Sequence, residues 1–321
     1  MSDRALLVRL CRGPASGAEL AREFGITRGA VWKRVEALRA AGVNVQARPG
    51  AGYALSAPLA LLDADAIAAG LSPPAHAELA GLELLFETDS TNAVALREPA
   101  PAAGTRVWLA ERQTAGRGRR GRRWASPLAA HVYLSLSRRF DGGLVALQGL
   151  SLAVGVAAAD ALHALGFGQV RLKWPNDLVA DGRKLGGILV ETGGEAGGPV
   201  RVVVGLGLNV AMPASAARGI DQPWCDLASL AAGTPSRQAV CVALLDALLP
   251  MLARFEREGL AAFLDGRARH DALAGQRVQL HLGDRVAEGV ALGIAADGAL
   301  RLREADGERR HHAGEASLRA A

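Results

Sequence analysis

The spacing of apolar residues changes along the chain, and the changes divide it. Up to position 41 the spacing is helical. It predicts a helix over residues 5–11 stopped by Gly13-Pro14, a second over 18–24, and a turn at Gly25-Ile26. A third helix runs over 28–41, with Thr27 as N-cap and Gly42 ending it. On that third helix Val31, Val35 and Leu38 share one face, leaving Arg28, Lys33, Arg34 and Arg39 outside it. Short extended runs at 43–45 and 53–55 flank Arg48-Pro49-Gly50-Ala51-Gly52, a hairpin with a basic, glycine-rich tip. Helix-turn-helix followed by such a wing is winged helix-turn-helix geometry; a small helical protein-interaction domain is the alternative.

After Ser56-Ala57-Pro58, a linker, helical and extended patterns alternate. Residues 63–69 read as a short helix broken by Ser72-Pro73-Pro74, and 82–87 as a strand leading into Thr88-Asp89-Ser90-Thr91-Asn92 and a helix that ends before Pro99. Hydroxyls at such a helix start can cap it, bind a polar ligand, or do both. Strands follow at 107–110 and 132–136, with a long apolar helix over 144–165 behind them. Residues 170–174 form a strand cut by Pro175, with Asn176-Asp177 at the bend; extended chain resumes at 178–180, turns at Asp181-Gly182 and returns through 183–191. The strand at 202–210 contains Gly205-Leu206-Gly207, glycines that permit close packing or ligand approach but open no dinucleotide-binding helix. Residues 212–221 read as an irregular loop ending near Trp224, and 237–257 as an amphipathic helix. From Arg277 the pattern becomes short alternating strands with turns at Gly283-Asp284, Asp297-Gly298 and Asp306-Gly307, a small β-barrel.

Charge sharpens this division. Residues 1–57 carry nine basic groups against four acidic ones, and the other 264 carry equal numbers, so the whole excess of +5 sits on the first unit. That distribution is expected of a nucleic-acid-binding module attached to a unit that is not one. Between the strands at 107–110 and 132–136 lies Gly116-Arg117-Gly118-Arg119-Arg120-Gly121-Arg122-Arg123-Trp124, closed by Ala125-Ser126-Pro127. Its glycines and crowded guanidinium groups oppose a helix. Converging backbone N–H groups and arginine forks suit a polyanion. An isolated Gly/Arg run also coats nucleic acid, but this one is anchored in a core at both ends, as expected of a loop that orders around a ligand.

Lysine usage singles out a second stretch. The chain has thirty-four arginines and only Lys33, Lys173 and Lys184 as lysines. Two of the three fall within twelve residues, placed by the pattern on facing arms of one hairpin. A compact ammonium follows charge moving between oxygens better than a rigid fork does, so these lysines mark a reactive centre for phosphate chemistry; two ordinary surface lysines are the alternative. The three cysteines, Cys11, Cys225 and Cys241, are scattered without metal-ligand spacing and point to reduced thiols in a cytoplasmic protein with no metal site. No signal peptide precedes the first helix, and the most apolar span, 144–159, is interrupted by Gln148 and Ser151, shorter than a bilayer crossing needs, and reads as a buried helix.

Taken together, the pieces resemble the biotin protein ligases of the bifunctional kind that also repress the biotin operon. The resemblance covers essentially the whole chain, and its carriers are Asp89-Ser90-Thr91-Asn92, the Gly116–Pro127 loop, Lys173-Trp174-Pro175-Asn176-Asp177, Lys184-Leu185-Gly186-Gly187-Ile188-Leu189-Val190-Glu191, Gly205 to Asn209, and Gly314-Glu315-Ala316-Ser317-Leu318-Arg319. The resemblance implies an α+β protein: a winged helix-turn-helix over 1–57, a mixed-sheet biotin/ATP-binding domain over 63–274 and an SH3-like β-barrel over 275–321. It implies ATP-dependent formation of biotinyl-5′-adenylate, with Mg2+, then biotin transfer to a lysine of the biotin carboxyl carrier protein of acetyl-CoA carboxylase. It also implies an adenylate-bound homodimer on operator DNA, the adenylate serving as corepressor, and no membrane.

The family pattern assigns Lys184 to bridge the biotin carboxylate and the α-phosphate, and Lys173 to phosphate. Gly116, Arg117, Gly118, Arg119, Arg122 and Trp124 belong to a loop closing over biotin and adenylate. Ser90, Thr91, Asn92 and Gln113 take the ureido ring; Gly186 and Gly187 line the site, Asn209 lies beside the nucleotide and Trp224 covers adenine. Asp177 takes either of two roles, magnesium ligand or proton acceptor. Arg28, Lys33, Arg34 and Arg48 contact DNA. Two other readings stay open here: a lipoate protein ligase, which leaves the winged helix unexplained, and a ligand-sensing transcription factor without turnover.

Overall fold

The computed structural model describes residues 2–318 apart from 49, 51, 194–198 and 232. The first unit packs α1 (Asp3–Cys11), α2 (Gly17–Glu23) and α3 (Arg28–Ala40) against a hairpin of β1 (Val45–Arg48) and β2 (Gly52–Leu55). Each helix opens on a hydroxyl that accepts from a backbone N–H of its first turn: Ser2, Ser16 and Thr27, the second completed into a capping box by Glu19. Val31, Val35 and Leu38 are buried, as their spacing requires. Arg28 and Lys33 are exposed on α3. The other two cations of that helix are held inside the unit: Arg34 pairs with Asp3 at 2.7 Å, and Arg39 with Glu36 at 2.6 Å while donating to the Val45 carbonyl. Of the basic wing tip, Pro49 and Ala51 lie outside the described residues, as does Arg319 of the terminal motif.

The central unit contains α4 (Ala64–Ala69), α5 (Pro73–Glu78), β3 (Leu79–Leu85), α6 (Thr91–Arg97), β4 (Thr105–Ala110), β5 (Val132–Phe140) and α7 (Leu150–Ala164). There follow β6 (Arg171–Lys173), β7 (Asp177–Ala180), β8 (Arg183–Gly193), β9 (Val200–Leu208), α8 (Ala214–Ala217), α9 (Leu227–Leu230), α10 (Arg237–Glu258) and α11 (Leu264–Arg269). The strands form one mixed sheet in the order β3-β4-β5-β9-β8-β7-β6, parallel only between β3 and β4. Side chains alternate across it. Val132, Leu134 and Leu136 of β5 and Val202, Val204, Leu206 and Leu208 of β9 enter the main core under α7 and α10. The other face carries Ser135, Val203, Gly205 and Gly207, and α6 packs there through Ala95 against Trp108 and Val203.

Several expectations change. The helix over 63–69 ends before Ser72-Pro73-Pro74 as expected, but the prolines also start α5, because proline tolerates the first helical turn, whose N–H groups lack intrahelical partners. The expected helix over 144–165 is a 3-10 turn, Leu144–Leu147, broken at left-handed Gly149 before α7 begins. The loop over 212–221 includes α8. Lys173 and Lys184 do not face each other across one hairpin; β7 lies between their strands, and Asp177 on β7 is opposite Lys173. Among the described residues, two segments, Val145–Ala164 and Arg237–Glu258, are long and apolar enough to span a bilayer, but 67% and 56% of their most apolar windows are buried inside the protein.

The third unit is an antiparallel sheet of β10 (Arg277–Leu282), β11 (Arg285–Ile294), β12 (Leu300–Glu304), β13 (Gly307–His311) and β14 (Glu315–Leu318), ordered β13-β12-β11-β10-β14. Its outer strands β13 and β14 are not paired to each other, so it is an open form compatible with an SH3-like barrel. The first two units share a core. Leu128 and Ala129, just past the arginine loop, are buried among Leu6, Leu7, Val31 and Leu38, and the Leu128 N–H donates to the Ala41 carbonyl. Leu128→Ala is expected to destabilise the winged-helix unit by about 2–4 kcal/mol, the cost of a large-to-small change in a packed core. Chemical denaturation followed by far-ultraviolet circular dichroism measures this.

Candidate functional site

On the face of the sheet opposite α7, the strands lack side chains where they would obstruct. A Cβ on Gly205 would stand 2.3 Å from Asn92 Oδ1, and one on Gly207 would stand 2.6 Å from the indole of Trp124. Over this bare patch lies a cavity of about 350 Å³ whose walls include Ser90, Thr91, Asn92, Gln113, Lys173 and Lys184. Ser90 precedes α6, but its side chain makes no capping bond. The Thr91 N–H instead donates to Gln113 Oε1 at 2.8 Å, and Gln113 Nε2 donates to Ser126 Oγ at 3.1 Å. Beneath them Ser135 Oγ lies 2.7 Å from Thr91 Oγ1 and 2.6 Å from Asn92 Oδ1. Asn92 Nδ2 donates to Glu191 at 2.8 Å. Ser90, Thr91, Asn92 and Ser135 are almost fully buried, so the hydrogen bonds among Thr91, Asn92 and Ser135 fix orientations that water cannot loosen.

The arginine run covers the cavity. It contains one 3-10 turn, Arg119–Gly121, in which Arg120 adopts left-handed φ 56° before glycine in the same region. The turn spreads the cations apart: Arg117 reaches Glu191 at 3.1 Å, Arg119 donates to Asn176 Oδ1 at 2.9 Å, and Arg122 pairs with Glu315 of the third unit. Gly116 lies where a Cβ would meet Ser126 Oγ at 2.7 Å, so the loop closes on itself through a position that must lack a side chain. Gly118 and Arg122 line the cavity beside Arg117 and Arg119. Burial holds the Arg119 guanidinium below its usual pKa, so an anion placed against it replaces water it has already lost.

Lys184 Nζ stands 2.8 Å from Asp177 Oδ1, with both side chains about four-fifths buried. Lys173 lines the same cavity, and burial lowers its pKa while Asp177 opposes the shift. Gly187 approaches both Lys184 and Trp124, and Gly186 crosses close to the Gly207 carbonyl, where a Cβ would stand 2.9 Å away. A second cavity, of about 680 Å³, adjoins the first; Gln113, Arg122, Arg123, Trp124, Lys184 and Gln222 line both. Asn209 and Trp224 line only this second cavity. The indole N–H of Trp124 is buried without a protein acceptor at the seam, a donor available to a ligand. The arrangement is two joined chambers with one lysine shared between them.

Models of known families match in three places: an HTH domain over residues 5–54, the biotin/lipoate A/B protein ligase family over 86–209, and a biotin protein ligase C terminal domain over 274–319. The chain is 39% identical over 308 residues to the bifunctional ligase/repressor BirA of Salmonella typhimurium, covering 95% of this chain and 93% of that one. The chain belongs to the biotin protein ligase family. It is also 35% identical to the biotin--[acetyl-CoA-carboxylase] ligase of Paracoccus denitrificans, over 68% of this chain and 93% of that protein. Among solved structures, the biotin protein ligase of Aquifex aeolicus in complex with biotin and ATP superposes with a TM-score of 0.62 at 26% identity, covering 75% of this chain and all of that one.

The sequence reading of this ligase missed residues that shape its site. Ser135 received no role, although a serine between leucines in a central strand signals a polar contact on the face opposite the core. Glu191 was quoted only within a motif, yet it receives both Asn92 and Arg117. His131, just before β5, is fully buried and lines neither cavity: its Nδ1 accepts from the Val210 N–H at 3.0 Å, and its Nε2 faces Met212 Sδ. Burial holds its pKa at about 4, below the ordinary 6.5. Between those values the unfolded chain takes up the proton first, so stability is full above pH 6.5 and falls as pH drops towards 4, by on the order of 3 kcal/mol. His131→Gln, which keeps an acceptor, is expected to flatten the stability profile across that window; urea denaturation at pH 7, 5.5 and 4 measures the slope.

Proposed function

We propose that this ligase joins biotin to ATP as biotinyl-5′-AMP with loss of pyrophosphate, then passes the biotinyl group to a lysine of the biotin carboxyl carrier protein, releasing AMP. The observation that carries the reading is Lys184, held at 2.8 Å by Asp177 where the two chambers meet. Attack of a carboxylate oxygen on the α-phosphorus brings two anions together, and a cation between them offsets their repulsion. In this reading the first chamber takes biotin: Ser90, Thr91, Asn92 and Gln113 satisfy its ureido edge, and the bare glycines leave room for its fused rings. The second takes the nucleotide, with Asn209 and Trp224 along it. Lys173, Arg119 and Arg117 supply further positive charge, and Gly186 and Gly187 let Lys184 approach. Magnesium enters with the nucleotide as MgATP. Among the described residues no cluster of three carboxylate, histidine or cysteine groups builds a metal cage, and one or two carboxylates suffice when phosphates supply the remaining ligands. Asp177, already against Lys184, sets that lysine's direction.

The same reading gives the first unit, residues 1–57, a repressor's task, residues 63–274 the chemistry and 275–321 the support of the arginine loop through Glu315. Arg28 and Lys33 on α3 and Arg48 on the wing are exposed towards DNA, with Arg34 beside them in its pair with Asp3. Adenylate-dependent homodimerisation along the central sheet then presents two such units to a palindromic operator. The protein works in the cytoplasm, consistent with its free thiols. A lipoate ligase leaves the matched first and third units without a task, and a sensor without turnover leaves Lys184 without one.

Lys184→Ala is expected to lower biotin-dependent ATP/pyrophosphate exchange at least 100-fold; exchange at the wild-type rate refutes the role given to Lys184. Gly207→Ala, which drives a methyl into Trp124, is expected to weaken adenylate binding at least tenfold in calorimetric titration. Biotin with ATP is expected to protect residues 116–127 from trypsin, read by mass spectrometry of timed digests, and equal cleavage with and without ligand counts against loop closure. An electrophoretic shift of the biotin promoter that appears only with adenylate tests the repressor half.

A further inference from the structure

Behind the Lys173–Asp177 bend, on the side away from the ligand cavities, lies a buried cation that the proposed chemistry does not use. Arg267 of α11 is 1% exposed. Its partner Asp271 is equally buried, with Nη1 3.2 Å from Oδ1, and Asp271 Oδ1 also accepts from the Leu273 N–H. Nη1 meets Asp271 as an ion pair without good hydrogen-bond alignment, and Nη2 finds no hydrogen-bond acceptor among the described residues. A guanidinium stripped of water and left with free donors is costly. A buried ion pair is also commonly no more stabilising than apolar side chains of the same size. Fold stability therefore gives little reason for a charge here.

The surroundings supply one. Arg267 borders a narrow gap, about 10 Å³, whose walls include Leu152, Leu172 and Ile188 as well as Ser151 and the bend residues Lys173, Asn176 and Asp177. The residues after α11 are stitched to the same strand: the Leu172 N–H donates to the His270 carbonyl at 2.7 Å, and the Ala272 N–H donates to the Leu172 carbonyl at 3.0 Å. Gly266 lets α11 approach closely, since a Cβ there would stand 2.6 Å from Val156 of α7. Arg267 is thus fixed in place against Asp271 and borders the gap behind the segment that carries Lys173 and Asp177.

We propose that Arg267 is a positioning residue: it props the bend from behind across this narrow gap, and thereby sets where Lys173 and Asp177 point. The proposal rests on the ligase reading, in which Asp177 directs Lys184 and Lys173 meets phosphate. Asp271 keeps the guanidinium charged and turned towards the bend. Loss of the prop leaves the biotin-ring contacts of Ser90, Thr91 and Asn92 in place but lets the phosphate-side groups drift, and small misplacements of reacting groups are costly in rate.

The test is biotin-dependent ATP/pyrophosphate exchange by the full-length chain, with melting temperatures measured alongside, for Arg267→Met and Arg267→Lys. The methionine variant keeps the length and removes the donors; the lysine variant keeps a cation against Asp271 but not the two-pronged fork. For both, kcat is expected to fall about 10- to 100-fold, with the KM for biotin within about twofold of wild type and the KM for ATP raised. If the methionine variant does not fold, the lysine variant decides. Wild-type kcat in either folded variant overturns the proposal, as does a loss that merely tracks the folded fraction as assay temperature is varied. Absence of exchange in the wild-type chain would instead remove the ligase reading itself.

Discussion

The site depends on a sheet face with no side chains at its centre. Gly205 and Gly207 on β9 and Gly187 on β8 leave the backbone bare where Asn92 and Trp124 descend upon it, and a methyl group on Gly205 or Gly207 would collide with them. Strand glycines ordinarily weaken a sheet. Here the loss is offset by position: β9 and β8 are flanked on both sides, and their opposite face belongs to the main core under α7 and α10. The apolar half of each strand holds the sheet rigid, and the bare half opens a chamber.

Rigidity of the floor gives meaning to the walls. Ser135 rises from β5 to orient Thr91 and Asn92 together, so the start of α6 presents polar groups in fixed directions. The arginine loop arrives from the opposite side and is spread by contacts to three elements, Glu191 on β8, Asn176 at the bend and Glu315 in the third unit. Guanidinium groups that would repel one another in a bundle are separated by carboxylates and an amide. Arg117, Arg119 and Arg122 nonetheless all line the first cavity, so positive charge is gathered along its wall.

Much of this was legible in the sequence, and the parts that were not share a cause. Local signals read well: Thr27 caps α3 as expected, Asp181-Gly182 turns with both residues at positive φ, and the strands of the third unit start and stop at their predicted turns. Rare lysines and the Gly/Arg run pointed to residues that the fold does bring to one cavity. Relations set by tertiary pairing were missed. β7 between the two lysines is invisible to a hairpin reading, because which strands pair depends on the whole sheet. Arg34 and Arg39 looked free on α3 because a helical wheel does not show Asp3 or the Val45 carbonyl beyond the helix's own outline. Pro73-Pro74 follows the end of α4, as expected, and also opens α5, since proline disrupts a helix only after its first turn.

The burial of Leu128 and Ala129 among Leu6, Leu7, Val31 and Leu38 bears on how freely such proteins recombine. A cut at the linker after residue 57 looks clean along the chain but not in space. It removes the winged helix and leaves two apolar residues of the remaining fragment facing water, directly downstream of the arginine loop. Any transplant of a foreign reading head onto this catalyst inherits that debt: the newcomer must bring a matching socket, or the graft carries a sticky patch beside its own active site.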